Sequence, residues 1–452
     1  TERRARIDAR IASLAERHAA LLERRGAARS EASFRLGVVT GAELVPGNLC
    51  RVELDNRVAR ETLFAAIEAA KEQVLLQFYI FEVSNFSEEL AVRLIRRARA
   101  GVRIRILVDA LYSQQNVLGA TNPILVGLEG EPNIEVRAVE PIATPDRIET
   151  VRLKARDHRK LAVFDSERAF ISGRNAGDAY YTGFDEVPIA DFTHHDRIPW
   201  LDAHVEVEGP VVAQVIRCFR DSFTRAGGSP FELPPAPSPR TGRRAALARL
   251  VVHEGLSDAN ALAAYESIID SARERVIVVN DFPVLPTLQA AVRRALSRGV
   301  EVIFLTGNGM ARRGDGTFFR GPLYRELFEY MTKHRLERML VEGVKAYEYQ
   351  TLPLPNVVCR GGVLRPYVHA KLMLADRKVL SVGSANLDVT ASYWEREANL
   401  VIEGGREVAR VERIVGRLIR QSVPLDLRSP SWRREAPQRE LVSRLWPDRI
   451  FS

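Results

Sequence analysis

Two stretches of this chain carry the same polar pattern in the same order, and that duplication limits the fold more than any other feature. In the first, His158-Arg159-Lys160 is followed by Asp165 and then by Ser172-Gly173-Arg174-Asn175. In the second, His369-Ala370-Lys371 is followed by Asp376 and then by Gly383-Ser384-Ala385-Asn386. His158 and His369 are 211 residues apart, and so are Asn175 and Asn386. The residues after each lysine are apolar: Leu161, Val163 and Phe164 in one copy, and Leu372, Met373 and Leu374 in the other. On a strand, the period of two sets the histidine and lysine of each copy side by side on one face. The Ser/Gly-x-Asn segment then ends the next strand, where small residues let backbone and amide approach a ligand.

The duplication reaches further. Ile67 to Leu76 is echoed by Ile269 to Val278, each a helix end running into a short buried strand. Ala98 to Val108 is echoed by Leu296 to Thr306, a helix closing at glycine and feeding a strand. Strand–helix–strand order with such helices predicts an α/β fold. We expect two homologous halves, each a mostly parallel mixed sheet flanked by helices, packed pseudo-twofold around one shared active site. Five prolines between Gly227 and Pro239 mark an extended linker. The expected boundaries are an amphipathic helix in 1–32, a first repeat in 33–226, the linker in 227–243, a second repeat in 244–425 and a basic tail in 426–452.

At 452 residues the chain has room for two or three cores of roughly 150 residues each. With 46% hydrophobic and 27% charged residues, global disorder and coiled coil are excluded. No apolar run approaches the ~18–20 residues that cross a bilayer. The charged Thr1–Arg10 segment predicts no secretory signal. Cys50, Cys218 and Cys359 are scattered and form neither a disulfide framework nor a CxxC site. The net charge of +8 predicts attraction to polyanions or anionic membrane surfaces. Only seven of the 66 cationic residues are lysines, yet two of them occupy equivalent positions of the repeated pattern. Arginine is a planar fork and lysine a compact point charge, so that choice reflects chemistry.

The paired H-x-K-(x)4-D motifs resemble the phospholipase D superfamily, and their context resembles bacterial cardiolipin synthases. Ser172-Gly173-Arg174-Asn175-Ala176-Gly177-Asp178-Ala179-Tyr180 is similar to their GGRNIGDxY segment, with serine at 172 where many members have glycine. Trp200 to Pro210 is similar to WRDxHxxxxGP, Val382 to Asp388 to VGSxNxD, and Glu397-Ala398-Asn399 to ExN. The likeness runs from about Ala66 to Glu403 and departs at the N-terminus, where that family often carries transmembrane helices.

The residue types fit phosphodiester chemistry. One imidazole attacks phosphorus while the other protonates the leaving alcohol. Lys160, Lys371, Asn175 and Asn386 would bind the non-bridging oxygens, with Ser172 and Ser384 adding donors. The resemblance implies a covalent phosphohistidine intermediate, with His158 as nucleophile and His369 as general acid and then base. It counts Asp165 and Asp376 in the motif; we expect them to hold their own segments together behind the site. Asp202 and Glu397 occupy matching places in the two repeats and are candidates to accept the distal imidazole N–H. Arg174, beside Asn175, is a candidate cation for a second anionic head group. Cationic side chains already serve the electrostatic role, so neither a metal nor another cofactor is expected. His194-His195-Asp196, with His204 nearby, matches no standard zinc spacing. His18, His253 and His334 read as ordinary surface or helix histidines.

The resemblance implies phosphatidyl transfer of cardiolipin-synthase type, with anionic phospholipid as substrate. Phospholipase D hydrolysis needs the same residues and differs in acceptor access. A nucleic-acid phosphodiesterase would suit the charge, but no aromatic-interleaved basic strand accompanies it, so nucleic acid is disfavoured as a partner. A non-catalytic membrane scaffold would not need both constellations intact. We expect peripheral membrane association, on the cytoplasmic face in preference to the periplasmic one. Lipid-facing stretches are sought in the amphipathic Arg3–Arg25, in the long connection from Asp109 to Glu149 and in Phe318–Tyr330.

Overall fold

The structure is a computed structural model and describes residues 31–114, 121–140, 154–187, 198–281, 284–307, 322–351 and 366–445. The expected helix Arg3–Arg25, His194–Asp196, Phe318–Gly321, Cys359, Trp446 and parts of the Asp109–Glu149 connection lie outside these residues.

Among the described residues, fifteen strands form one continuous sheet. The first half contributes β1 (Val45–Glu53), β2 (Gln73–Phe78), β3 (Arg103–Asp109), β4 (Ile134–Val139), β5 (Leu161–Phe164), β6 (Arg168–Ser172) and β7 (His204–Glu208). The second contributes β8 (Ala246–Glu254), β9 (Arg275–Val279), β10 (Glu301–Thr306), β11 (Lys345–Glu348), β12 (Leu372–Ala375), β13 (Val379–Gly383), β14 (Arg396–Glu403) and β15 (Val423–Pro424). Their spatial order is β15-β11-β10-β9-β12-β13-β14-β8-β1-β7-β6-β5-β2-β3-β4, which, apart from the additional edge strand β15, reads alike from either side toward the β8–β1 junction. That order is the expected pseudo-twofold. Among these strands, parallel pairing is confined to β2–β3–β4 and β9–β10–β11. The motif strands run antiparallel because tight hairpins join β5 to β6 and β12 to β13.

The helices Val212–Arg225 and Gly405–Gln421 cover one face and bury Phe219, Phe223, Val408 and Val411 in a core shared by both halves. The other face carries two separate cores, one built mainly from the first half and joined by Phe328 and Tyr367, the other from the second half. Strands covered on both faces read as unbroken apolar runs, as in Val74-Leu75-Leu76 and Leu372-Met373-Leu374.

Two segments outside the sheet pack on the second half. The helix Glu31–Thr40 packs on the second half, with Leu36 against Val251, Ala264 and Val401, and Ser33 accepting from Arg249 Nη2 at its carbonyl (3.0 Å) and hydroxyl (2.8 Å). The tail folds back on the body: Trp432 Nε1 donates to Glu337 Oε1 at 3.1 Å, and buried Arg439 pairs with the same carboxylate.

Candidate active site

The backbone brings the two motifs together before any side chain acts. Isolated bridges join Asp157 to Arg396 and Leu201 to Val368, so the segment just before each motif strand docks on the opposite half. His158 N donates to Arg396 O at 2.9 Å, and His369 N donates to Leu201 O at 2.8 Å. The residue after Arg396 and the residue after Leu201 are both acids, and each meets an imidazole. His158 Nδ1 lies 2.9 Å from Glu397 Oε1, and His369 Nδ1 lies 2.6 Å from Asp202 Oδ2. Each half therefore supplies the carboxylate for the other half's histidine. A carboxylate on Nδ1 fixes the tautomer that leaves Nε2 facing the reaction.

All four partners are buried, together with both lysines. Burial holds the two imidazoles well below the ordinary histidine range, and Lys160 and Lys371 add to the effect on both rings. Each lysine thus acts on both histidines, which places the motifs around one centre. Lys160 is brought down to about 8 by burial, against the pull of Glu397, Glu395 and Asp202. It donates to His158 O at 2.5 Å, sits 5.0 Å from the Tyr79 ring centre, and has a counterpart in Lys371, which donates to His369 O. The rings are walled by aromatics: Tyr79 packs edge-on against His158 at 4.5 Å, and Tyr180 and Trp200 flank His369 at 5.2 and 5.4 Å.

The two carboxylates differ in charge state. Burial alone would raise Asp202, but His369, Lys371 and Arg174 together hold it down at about 2. Burial pushes Glu397 up to about 7, with Lys160 opposing. Glu395, which sequence reasoning passed over, lies 4.0 Å from His158 Nδ1 and is raised well above the carboxylate range by burial and by Glu397 and Asp388. The signal for it was present, since it sits two residues before Glu397 in the chain. His158, Glu395 and Glu397 have ligating atoms within 4.8 Å of one another. That is close enough for a cation, yet Lys160 and Lys154 already oppose the negative charge of Glu395. We read the trio as an acid cluster around the ring.

Asn175 accepts from Ile80 N at 3.2 Å and donates to the Tyr180 hydroxyl at 2.9 Å, while Asn386 Oδ1 has no partner among the described residues. Ser172 Oγ accepts from Arg174 N at 2.8 Å and Ser384 Oγ from Ala398 N at 3.0 Å, so both hydroxyls shape the turns that carry the asparagines. Gly173 is required there: a Cβ on it would stand 2.3 Å from Asp202 Oδ1. Gly173→Ala is expected to push that carboxylate off His369 and lower kcat about 10²-fold, as roughly 1 Å of misplacement does elsewhere. A steady-state assay on folded variant checks it.

Three readings from sequence are corrected. Asp165 and Asp376 do not reach the site. Each occupies the first left-handed position (φ 47° and 51°) of the hairpin turn after its motif strand, roughly 20 Å along the chain from its histidine at ~3.3 Å per residue. Asp165 accepts from the backbone N–H of Lys71, Glu72 and Gln73 at 2.8–3.0 Å, and Asp376 from those of Arg273, Glu274 and Arg275 at 2.7–2.8 Å. Aspartate tolerates the left-handed backbone and closes the helix-to-strand turn beside it. Asp165→Ala is expected to cost about 2 kcal/mol of stability in urea unfolding and to spare kcat per folded molecule.

Arg174 is not a free cation for a head group. Strand alternation turns it away from Asn175; it is fully buried and donates to Tyr180 O at 2.6 Å, Asp202 O at 2.8 Å and the Asn56 side chain. His253 is neither a surface nor a helix residue, but lies wholly buried on β8. His204 stacks on Phe170 at 5.1 Å and is pushed down to about 3 by burial.

Three comparisons bear on this arrangement. The crystal structure of phosphatidylserine synthase from Haemophilus influenzae superposes with a TM-score of 0.62 at 14% identity, covering 93% of this chain and 99% of that one, and so shares the fold. Cardiolipin synthase A of Pseudomonas aeruginosa is 28% identical over 355 residues, 77% of this chain, and that of Pseudomonas entomophila 27% over 345 residues. The chain spans 62% of the length of those relatives. The sequence pattern described as "Cardiolipin synthase, PLD-like domain" matches residues 63–191 and 265–419, which take in both motifs and both halves of the sheet. The chain belongs to the cardiolipin synthase, PLD-like domain family of the phospholipase D superfamily.

Proposed function

We propose that the chain is a phosphatidyltransferase acting on phospholipid phosphodiesters by two displacements at phosphorus. The observation that carries the reading is the pair of crossed imidazole–carboxylate contacts, with two lysines beside them. In the first step His158 Nε2 attacks phosphorus; the P–N bond forms as the P–O bond to the head-group alcohol breaks, and His369 gives that alcohol its proton. In the second, an acceptor hydroxyl passes its proton to His369 and attacks, breaking the P–N bond. Lys160, Lys371, Asn175 and Asn386 face the non-bridging oxygens, whose charge grows in each transition state.

The charge states support this order of roles. An ionised Asp202 draws His369 toward the imidazolium that an acid requires, against the burial and the lysines that hold both rings low, whereas Glu397 shares its surroundings with a second buried carboxyl beside His158. Among the described residues no helix is long and apolar enough to cross a membrane, and attachment through the surface fits lipid substrates. The relatives' name and the net charge of +8 favour phosphatidylglycerol as the first substrate to try. Incubation with phosphatidylglycerol vesicles, with and without phosphatidylethanolamine, is read by mass spectrometry beside His158→Ala. Cardiolipin that vanishes in the variant supports the transferase. Phosphatidic acid alone assigns hydrolysis, and no lipid product overturns the reading.

A further inference from the structure

An extended segment sends neighbouring side chains to opposite sides, so Arg159 points away from the catalytic side that His158 faces. It is fully buried, yet every N–H of its guanidinium is engaged. Nε and Nη2 donate to Asp157 at 2.8 and 2.5 Å, Nη2 also to Ser222 Oγ at 2.8 Å, and Nη1 to Cys218 Sγ at 3.3 Å and to Glu254 Oε1 at 3.0 Å. Asp157 accepts from Gln77 Nε2 as well, at 2.9 Å. Burial would raise the Asp157 carboxyl, but Arg159 and Arg396 hold it below its ordinary range, so the pair is ionic. The other oxygen of Glu254 takes Arg225 Nη1 at 3.1 Å and Arg396 Nε at 3.4 Å.

These contacts close a circuit. His158 is followed by Arg159, which pairs with Glu254; Glu254 pairs with Arg396, directly across from it on β14; and Arg396 is followed by Glu397, which returns to His158. The Arg396 carbonyl also accepts from His158 N at 2.9 Å. The imidazole–carboxylate contact on one side of this seam thus has an arginine–glutamate–arginine contact behind it.

The equivalent seam is built otherwise. The offset of 211 places Val368 and Ala370 where Asp157 and Arg159 stand, and Leu201 takes the place of Arg396 in the matching bridge. All three are buried in the apolar core that both halves share. The pseudo-twofold therefore relates a charged seam behind His158 to an apolar one behind His369. The two catalytic contacts differ in the opposite sense. Asp202 is ionised and lies 2.6 Å from its imidazole, whereas Glu397, pushed up to about 7 by burial, lies 2.9 Å from its own and attracts it less. The weaker contact is the one with charges behind it.

We propose that Arg159 and Glu254 are positioning residues for the nucleophile, an ionic lock that holds His158 in register with Glu397 while apolar packing serves His369. Only the catalytic consequence rests on the phosphatidyltransfer reading. Directional, charge-assisted hydrogen bonds fix an alignment that apolar contact leaves free to slide, even where they add little net stability. His158 has the greater need of that alignment, because it must meet phosphorus in line and carry the phosphatidyl group between the two displacements.

Glu254→Ala tests the lock, because it opens the circuit and leaves Arg159 its ion pair with Asp157. The Glu254 side chain is 32% exposed and lines an open cleft of about 820 Å³, so water takes the vacated space. In full-length protein labelled with ¹⁵N-histidine, the Nδ1–H signals of the two catalytic rings are identified by their loss in His158→Ala and His369→Ala. Glu254→Ala should lose the His158 signal to exchange with water and keep that of His369. Arg159→Lys, which retains the charge without the fork, should weaken the same signal alone. Retention of both signals in Glu254→Ala overturns the proposal, and so does equal loss of both, which general loosening would give.

A kinetic readout follows the nucleophile by itself. In a His369→Ala background, the burst of nitrophenol from a phosphatidyl ester of p-nitrophenol reports attack by His158. Adding Glu254→Ala should slow that burst about 10²-fold, as roughly 1 Å of misplacement does elsewhere. Leu201→Ala, which loosens the other seam, should change it by no more than about twofold. Equal slowing by the two substitutions, or none by Glu254→Ala, overturns the lock. A wild-type protein without transferase activity removes the proposed function and leaves the two imidazole signals to decide this one.

Discussion

His158→Ala and His369→Ala are each expected to reduce turnover of phosphatidylglycerol at least ~10⁴-fold, and a substrate with an activated leaving group should then separate their roles. A phosphatidyl ester of p-nitrophenol needs no proton for its leaving group to depart. In His369→Ala the first displacement still runs, because the nucleophile His158 is retained and Glu397 still holds its Nδ1. The second displacement lacks its base, so nitrophenol appears in a burst equal to the protein concentration and the phosphatidyl group stays on the chain. In His158→Ala the nucleophile is gone and there is no burst. Rapid-mixing absorbance and intact-protein mass measure the two outcomes. A burst in His158→Ala and none in His369→Ala would exchange the two assignments; substantial steady turnover in His369→Ala would remove its acid–base role.

The sequence makes the duplication, the shared centre and the two imidazole–lysine pairs legible, because a constant offset and strand alternation are local properties. It also marks Asp202 and Glu397 as equivalent. What it hides is the crossing. Which carboxylate serves which histidine depends on the Asp157–Arg396 and Leu201–Val368 bridges, and these form only when the halves dock. Asp165 and Asp376 were obscured in the opposite way. Their turn chemistry is local and readable, with two left-handed residues at a hairpin end, but membership of a catalytic motif draws the eye from it. Arg174 was assigned by adjacency, where alternation already turns neighbours to opposite faces. The mostly parallel expectation weighed the crossover units above the hairpins, although both are present in each half.

The unlike ionisation of the two acids gives the second large effect, and it separates catalysis from stability. Asp202 sits at about 2, so it is ionised throughout the working range; Asp202→Asn should cost about 10³–10⁴ in kcat, with a loss that does not vary between pH 5 and 9. Glu397 titrates near 7, so wild-type kcat should fall as pH drops below ~7 and Glu397 takes up a proton. Glu397→Gln, slower by about 10²-fold, should lose that limb. Stability moves with opposite signs. Asp202 has a folded value below its unfolded value of ~3.9, so its contribution is present above that pH and is lost as pH falls through about 2. Asp202→Asn should therefore melt below wild type at neutral pH. Glu397 has a folded value above its unfolded value of ~4.3, so its stability is complete below that pH and is lost as pH rises through about 7. At pH 8 Glu397→Gln should melt above wild type while remaining slower than it, because it removes a charge that burial disfavours and His158 requires. Thermal melts of both variants at pH 5 and 8 decide the signs. A Glu397→Gln protein that is less stable than wild type at pH 8 would mean that the anion is satisfied in the fold, and that the strain on it is not what keeps His158 ready.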